Sequence, residues 1–199
     1  MTPNGTPYAF LNASQLTAFR TALTSSLLIS RRRNPKTLLV FGSGHQAFWH
    51  LRLALLLHGH TIKSIHIIAR TLSPKSASLM KSLHAIPYET KEREGWTDVK
   101  IGILSPAYGE YTRLIEKQVR AADIIFCTTP STEPLFDHGI LSRKEGRKKG
   151  RLVVAIGSYK PEMIEIPVQL ILQATKQSHR HHHHKHAQEG GVVLSLIHI

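Results

Sequence analysis

Small residues are spaced through the segment TLLVFGSGHQAFWH, residues 37–50, in the order Gly42-x-Gly44-x-x-Ala47. A first glycine permits a tight turn after a strand, a second lets a phosphate approach the backbone, and a small third residue allows the helix to pack closely. The first N–H groups of that helix can donate to the phosphate. The pattern predicts a pyrophosphate site, although similar glycines also shape turns that bind no ligand. The predicted site comprises Gly42, Ser43, Gly44, His45, Gln46 and Ala47.

Arg70 and Thr71 stand at the end of the next apolar segment, KSIHIIAR (63–70), which is the second predicted strand. An acidic residue at this place would hold the ribose 2′-hydroxyl of NAD, whereas an arginine and a hydroxyl suit a 2′-phosphate. These two residues therefore favour NADP(H) over NAD(H) as the cofactor. A solvated arginine at the end of a strand is the alternative interpretation.

Cys127, Thr128 and Thr129 end another predicted strand, ADIIFCTT (122–129). Because ligands of open parallel sheets bind beyond the carboxyl ends of the strands, we expect these residues to line the cleft near the nucleotide. For Cys127, packing in the core is an equally good interpretation.

Strands and helices alternate from Thr37 to about Gly157, which predicts an α/β fold with a doubly wound, mostly parallel Rossmann-type sheet. Helices on both faces of such a sheet explain why ADIIFCTT is almost wholly apolar. The predicted strands are 37–42, 63–70, 99–104, 122–129 and 150–158. The predicted helices between them are 45–58, 73–85 and 110–121, and GGVVLSLIHI (190–199) begins as a further strand.

The segment before Pro35 falls outside that alternation. PYAFLNA (7–13) is predicted to be a strand, and Ser14 is predicted to cap a helix that runs from Gln15 to about Arg32. Apolar residues at intervals of three and four give this helix one apolar face. That face consists of Leu16, Phe19, Leu23 and Leu27. We expect this segment to be the edge of a second domain.

Positive charge exceeds negative charge, with 26 Lys and Arg against 13 Asp and Glu and a net charge of +13. The charge is concentrated in RRR (31–33), RKEGRKKGR (143–151) and HRHHHHKH (179–186). None of these runs alternates basic with aromatic residues, as base-stacking surfaces do, so nucleic acid is not a favoured partner. Consecutive histidines without fixed neighbours impose no coordination geometry, so we predict no metal site in the third run.

The sequence carries no evident targeting or membrane signal. Its first residues lack the basic and apolar regions of a signal peptide, and the most apolar window, LRLALLLHG, is too short to span a bilayer. A single cysteine excludes an intrachain disulfide and favours a reducing compartment. We therefore expect a cytoplasmic protein without membrane contact.

Taken together, several segments resemble the ornithine cyclodeaminase/mu-crystallin family of NAD(P)-dependent proteins. They are LTAFRTALTSSLL (16–28), LLVFGSGHQA (38–47), the strand ending in Arg70, AADIIFCTTPSTEPLF (121–136) and AIGSYKPEMIEI (155–166). The resemblance implies a Rossmann domain and a separate domain for substrate binding and dimerisation. It implies that imines are formed or reduced, or amino acids deaminated and cyclised, with the nicotinamide ring. It also implies that Arg20 binds the substrate carboxylate, for which a guanidinium is well shaped.

Two departures from the family pattern refine the expected activity. Tyr159 stands where the true cyclodeaminases carry a catalytic aspartate, so a reductase of ketimines or similar imines fits better than an ornithine cyclodeaminase. By the resemblance, we expect most of the substrate domain and its catalytic residues to be absent, so the catalytic residues of this chain stay unassigned. We expect a fragment truncated at both ends, inactive alone and unable to form the family homodimer.

The expected organisation has three regions. Residues 1–34 are a remnant of the substrate and dimerisation domain with its linking helix, 35–172 are the NAD(P)-binding Rossmann domain, and 173–199 are a His-rich loop and a truncated C-terminal segment. Two alternatives to an oxidoreductase fragment stay open. One is a non-enzymatic NADPH-binding protein, and the other is a basic polyanion-binding protein.

Overall fold

The computed structural model describes residues 3–10, 12–143 and 149–175, together with the backbone of 192–196. The strands are β1 (Thr37–Phe41), β2 (Ser64–Ile68), β3 (Lys100–Leu104), β4 (Ile124–Cys127), β5 (Arg151–Ala155) and β6 (Val192–Leu196). The helices are α1 (Ser14–Ile29), α2 (His45–His58), α3 (Pro74–His84), α4 (Tyr88–Glu94), α5 (Tyr111–Ala121), α6 (Gly139–Ser142) and α7 (Val168–Thr175).

The described strands form one parallel sheet in the order β3-β2-β1-β4-β5-β6. Phe41 at the end of β1 pairs with Ile68 of β2 on one side and with Cys127 of β4 on the other. The chain order therefore changes direction at β1, and a crevice opens beyond the carboxyl ends of β1 and β4 at such a switch point. The predicted doubly wound α/β fold is confirmed.

Each face of the sheet has its own apolar core. Leu38 and Val40 of β1 pack on the face covered by α1, α2 and α3, whereas Leu39 and Phe41 pack on the face covered by α5, α6 and α7. Successive side chains of a strand point to opposite faces, so covering both faces requires an apolar residue at every position. This explains why the central strands lack the polar alternation of a half-exposed sheet.

The predicted N-terminal strand at 7–13 is wrong. Residues 5–10 and 12–13 adopt no regular secondary structure, and the side chains of Tyr8 and Phe10 are exposed. Within the described ranges this segment pairs with no strand of the sheet, so its backbone gains no ladder of hydrogen bonds.

The predicted start of the first helix also needs correction. Ser14 is the first helical residue and makes no capping hydrogen bond through its hydroxyl. Its backbone N–H instead donates to Asn12 Oδ1 at 3.3 Å, so the carboxamide two residues earlier caps this N–H. The helix ends at Ile29, and Arg32 N–H donates to Ile29 O in the turn that follows.

Three of the helices in the described residues were not predicted. The short helix α4 shows no apolar period and adds no residue to the apolar core, but the carboxylate of Glu94 at its end is buried in an ion pair. Glu94 accepts two hydrogen bonds from Arg52 at 2.8 and 2.6 Å and one from Trp96 Nε1 at 2.8 Å. Arg52 thus anchors α4 to α2 through a bidentate ion pair. The other two are α6 and α7.

Helix α1 packs on α2 through small side chains and through Phe19, whose ring centroid lies 4.9 Å from that of Trp49, and it leaves the leucines of its predicted apolar face exposed. Ala18, Ala22 and Ser25 are buried, whereas Leu23 and Leu27 are 52% and 69% exposed. Small residues allow the two helix backbones to approach closely, and leucines on the far side take no part in that contact. The result is a row of exposed apolar side chains on a helix that is itself well anchored.

Replacing Leu23 and Leu27 together by glutamate is expected to change the free energy of unfolding by less than about 1 kcal/mol, because both side chains already contact water. Urea unfolding measures this, and binding of a hydrophobic dye should fall in the same variant. The matched control is Ala22→Glu, which places a charge at a fully buried position one residue away and should unfold the chain. Equal destabilisation by the two changes would contradict an exposed leucine face.

No helix within the described ranges is long and apolar enough to cross a bilayer. Those ranges also contain no cluster of three or more histidine, cysteine, aspartate or glutamate side chains suited to a metal ion. The histidine tract at 179–186 and positions 144–148 of the second basic run lie outside the described residues.

Candidate functional site

The glycine turn after β1 is built around Gly42. Its backbone has φ +110°, a conformation that residues other than glycine rarely adopt. Its N–H donates to Ile68 O at 2.9 Å, and Phe41 O accepts from Thr128 N and Thr128 Oγ1 at 3.0 and 2.7 Å. A Cβ on Gly42 would stand 2.6 Å from Thr128 Oγ1. The turn therefore needs glycine both for its backbone conformation and for its contact with the loop after β4.

Gly44 ends the turn and is the N-cap residue of α2. It is exposed, it offers no side chain to cap the helix, and a Cβ placed on it would meet no atom within 4 Å. The first N–H groups of a helix have no intrahelical acceptor, so those of α2 are available to an anion in the open space beside Gly44. Ala47, by contrast, is fully buried in the core, as the small third residue of the pattern predicts.

A cleft of about 480 Å³ opens beside this turn, between the first turns of α1 and α2 and one side of α3 from Lys75 to Ser82. Its charged or titratable lining groups are Lys75 and His45, and no carboxylate from the described part of the chain lines it. It is lined by Gln15, Ser43, Gly44, His45, Phe48, Lys75, Ser78, Leu79 and Ser82. The site is thus suited by charge to an anionic ligand.

Lys75 was missed at the level of sequence. It lies in the first turn of α3, two residues after Ser73. Ser73 caps that helix, and its hydroxyl accepts from Ser76 N–H at 3.4 Å. A lysine in the first turn of the helix that follows the second strand is the signal that could have identified it. Only the packing of α3 beside α2 brings it to the cleft.

Arg70 and Thr71 lie directly beyond β2, at the same edge of the sheet as the glycine turn. The hydrogen bond from Gly42 N–H to Ile68 O joins that turn to the end of β2. Both side chains are exposed and neither lines the cleft. Their place at this edge is compatible with contact to an adenosine ribose, and equally with a solvated arginine.

Cys127 does not line the cleft with its side chain. It is 0% exposed and packs in the apolar core between the sheet and α5. Burial, followed by the nearby charge of Glu165, raises the pKa of the Cys127 thiol well above its usual value, so the thiol stays protonated. Of the two interpretations that the sequence left open, core packing is the one that agrees with this burial. Thr128 and Thr129 are half-buried at the crevice.

Glu165 is a second residue that sequence reasoning missed. Its side chain is buried, and it lies in the segment that follows β5, with Ile164 and Ile166 as its sequence neighbours. Its carboxylate accepts from Thr129 N–H at 2.8 Å and from Gly157 N–H at 2.6 Å. Burial raises the pKa of Glu165, and the backbone N–H donors oppose that rise. An acid flanked by isoleucines was the available signal.

The residues present fit a dinucleotide. Besides the open space at Gly44, the described residues include a buried acceptor, Gln46 Oε1, that has no hydrogen-bond partner. Gln46 lies in the first turn of α2, where a ligand hydroxyl or amide could donate to it. The turn, the helix N-terminus and this acceptor would together hold the phosphates and sugars of the cofactor.

The sequence of the chain is similar to those of cyclodeaminases and pyrroline-2-carboxylate reductases. It is 31% identical over 167 residues to an uncharacterized cyclodeaminase of Dictyostelium discoideum, a match that covers 81% of this chain and 44% of the relative. It is 30% identical over 174 residues to a Delta(1)-pyrroline-2-carboxylate reductase of Bacillus cereus, covering 86% of this chain and 45% of the relative. The chain belongs to the ornithine cyclodeaminase/mu-crystallin family.

The chain spans a little under half the length of these family relatives. No family model matches it. Solved structures agree in fold. A probable ornithine cyclodeaminase from Bordetella pertussis aligns with a TM-score of 0.58 at 24% identity, over 81% of this chain and 43% of that one. An archaeal alanine dehydrogenase dimer with bound NAD aligns with a TM-score of 0.59 at 20% identity, over 86% and 45%.

Two residues that the family resemblance singles out lie away from the cleft. Arg20 is exposed on α1 and does not belong to the cleft lining. Tyr159 is exposed in the turn after β5, where its N–H donates to Gly157 O at 3.1 Å. Neither is packed against the glycine turn, so each would meet a substrate only if that substrate extended beyond the cofactor.

Proposed function

We propose that this chain binds a nicotinamide dinucleotide at the glycine turn and is the cofactor-binding part of an imine reductase of its family. The observation that supports this most directly is the Gly42 turn, held open at positive φ between the ends of β1 and β4 with the α2 N-terminus facing free space. The relatives named Delta(1)-pyrroline-2-carboxylate reductase favour a cyclic imine that carries a carboxylate as the substrate class.

The chain's own residues would bind and orient, since the cofactor supplies the hydride. The first turn of α2 would hold the pyrophosphate, and Gln46 Oε1 would accept from a ribose hydroxyl. Arg20 would pair with the substrate carboxylate, since its guanidinium is exposed and can receive one. Tyr159 offers no carboxylate for cyclodeamination, which supports reduction as the reaction.

For the cofactor, we propose NADP(H) in preference to NAD(H). Arg70 and Thr71 stand where the adenosine ribose would lie, beyond β2, and Lys75 adds a second cation within the following helix. Two cations and a hydroxyl suit a 2′-phosphate, whereas the hydroxyl of NAD is better served by a carboxylate.

For the organisation of the chain, we propose that residues 1–34 belong to a substrate and dimerisation domain and 35–172 to the cofactor domain. The exposed leucines of α1 support this, because a second domain packed on them would remove them from water. The family homodimer would then depend on that second domain.

A fluorescence titration with NADPH and NADH tests this proposal. Arg70→Ala is expected to weaken NADPH binding by roughly tenfold, the loss of one charge-assisted contact, and to leave NADH binding nearly unchanged. The matched control is Arg33→Ala, which removes an exposed arginine in the first basic run and should change neither affinity.

Absence of NADPH binding by the unaltered chain would contradict the proposed cofactor site. Binding that disappears in salt for both nucleotides, and that falls equally in the two arginine variants, would indicate a general polyanion surface instead.

A further inference from the structure

A buried carboxylate joins the two loops that follow β4 and β5. Glu165 is 1% exposed, and its Oε1 and Oε2 atoms accept from Thr129 N–H at 2.8 Å and Gly157 N–H at 2.6 Å. Thr129 lies two residues beyond β4, and Gly157 lies two residues beyond β5. One side chain therefore satisfies a backbone donor from each loop at the carboxyl edge of the sheet.

The backbone around Glu165 fastens its segment to the same loop. Ile164 N–H donates to Ser131 O at 2.7 Å, and Leu135 N–H donates to Glu165 O at 3.0 Å. The loops are also in direct contact, since a Cβ on Gly157 would collide with Thr129 O and would stand 2.5 Å from Glu165 Oε1. A small change in the carboxylate would therefore move both loops.

The contacts continue to the glycine turn. Thr128, next to Thr129, donates through its hydroxyl to Phe41 O and occupies the space that a side chain on Gly42 would need. An unbroken series of contacts thus runs from Gly42 through Thr128 and Thr129 to Glu165 and Gly157. Burying a carboxylate without a cationic partner is costly, and within the described residues Glu165 forms no salt bridge. This cost is explained if the carboxylate holds loops that must keep one shape.

The position of these loops indicates which half of a dinucleotide they meet. The residue after β2 contacts the adenosine ribose in folds of this type, and the pyrophosphate lies at the turn after β1. The nicotinamide half must then extend to the opposite side of β1, where β4 and β5 lie. The loops held by Glu165 therefore border the nicotinamide half and not the adenosine half.

We propose that Glu165 is a positioning residue that sets the shape of the nicotinamide pocket by holding the loops after β4 and β5 together. This rests on the proposed dinucleotide site. Glu165 would act through its hydrogen bonds to Thr129 and Gly157, which fix the two loops against which the nicotinamide ring fits.

Glu165→Gln tests the proposal, because a carboxamide keeps the shape but presents an NH₂ group to one of the two N–H donors. NADPH affinity should fall by roughly tenfold, while the affinity for adenosine 2′,5′-bisphosphate, which lacks the nicotinamide half, should stay within about twofold. Glu165→Asp should act in the same direction, because the shorter side chain cannot reach both loops. The matched control is Glu162→Gln, an exposed acid three residues away, which should alter neither affinity.

Unchanged NADPH binding in Glu165→Gln, or an equal loss for both ligands, would overturn the positioning role. If the unaltered chain bound adenosine 2′,5′-bisphosphate and not NADPH, or bound neither, the proposed function would fail instead.

A measurement on the unaltered chain keeps the test decisive if the Glu165 variants do not fold. The amide resonances of Thr129 and Gly157 should shift when NADPH is added and stay in place when adenosine 2′,5′-bisphosphate is added. Shifts with both ligands, or with neither, would contradict the assignment of these loops to the nicotinamide half.

Discussion

Gly42→Ala is expected to abolish measurable NADPH binding and to lower the free energy of unfolding by about 1–3 kcal/mol. Alanine must either keep φ at +110°, which its Cβ disfavours, or rotate the turn away from the end of β1. In the native turn its Cβ would stand 2.6 Å from Thr128 Oγ1 and 3.1 Å from Thr128 O. Rotation moves the α2 N-terminus away from the place where a phosphate would bind, and keeping φ forces the Cβ against Thr128. NADPH titration and urea unfolding of the same preparation measure the two effects.

Gly44→Ala separates binding from stability. Its φ is −88° and its Cβ would meet no atom within 4 Å, so the free energy of unfolding should change little. A methyl group there would nevertheless stand where the phosphate is expected to approach, and NADPH binding should weaken. Gly102→Ala, at an exposed position with equal space, should alter neither property.

A Gly42→Ala variant as stable as the unaltered chain would contradict the strained turn described above.

Acid is expected to remove about 3 kcal/mol of stability through His50 alone as the pH falls from 6.5 to 4. His50 is fully buried between α1, α2 and the sheet, and burial lowers its pKa from 6.5 to about 4, although a hydrogen bond to Gln46 O opposes this. Between pH 6.5 and pH 4, His50 binds a proton in the unfolded chain and stays neutral in the folded chain. The stability that depends on neutral His50 is therefore fully present above pH 6.5 and is lost as the pH approaches 4.

The hydrogen bonds of His50 explain why it stays neutral. Nδ1 lies 2.8 Å from Gln46 O and must donate to that carbonyl, and Nε2 lies 2.9 Å from Ser25 Oγ. In the neutral ring Nε2 accepts from the Ser25 hydroxyl, which joins α2 to α1. Protonation would place a charge in this apolar contact and reverse the direction of that hydrogen bond.

Urea unfolding of the unaltered chain and of His50→Gln, at several pH values, measures this effect. The stability difference between the two should shrink by about 3 kcal/mol between pH 7 and pH 4, since only histidine gains a proton there. A constant difference for His50→Gln would show that His50 does not contribute to acid sensitivity.

The sequence by itself determined the sheet and the glycine turn. Apolar runs such as ADIIFCTT predict strands buried on both faces, and Gly42, Gly44 and Ala47 predict the turn and the close helix that follows it. Pro74 behind Ser73 predicts the start of α3, where a capping box forms. These signals are local, because a strand, a turn or a helix cap depends on residues within a few positions of each other.

Tertiary structure alone decided what surrounds that turn. The helix N-cap at Ser14 and the strand at 7–13 were predicted from local pattern and failed, because Asn12 offers a competing acceptor and no strand lies beside 7–13 among the described residues. Cys127 is at the right end of β4 for a ligand, yet the alternation of its strand turns the thiol into the core. The hydrogen-bond partners of Glu165 are distant in sequence, with Thr129 36 residues away and Gly157 8 residues away. No local pattern encodes hydrogen bonds between residues so far apart in sequence. The reason is physical, since burial and long-range hydrogen bonds exist only once the sheet has brought distant loops to one edge.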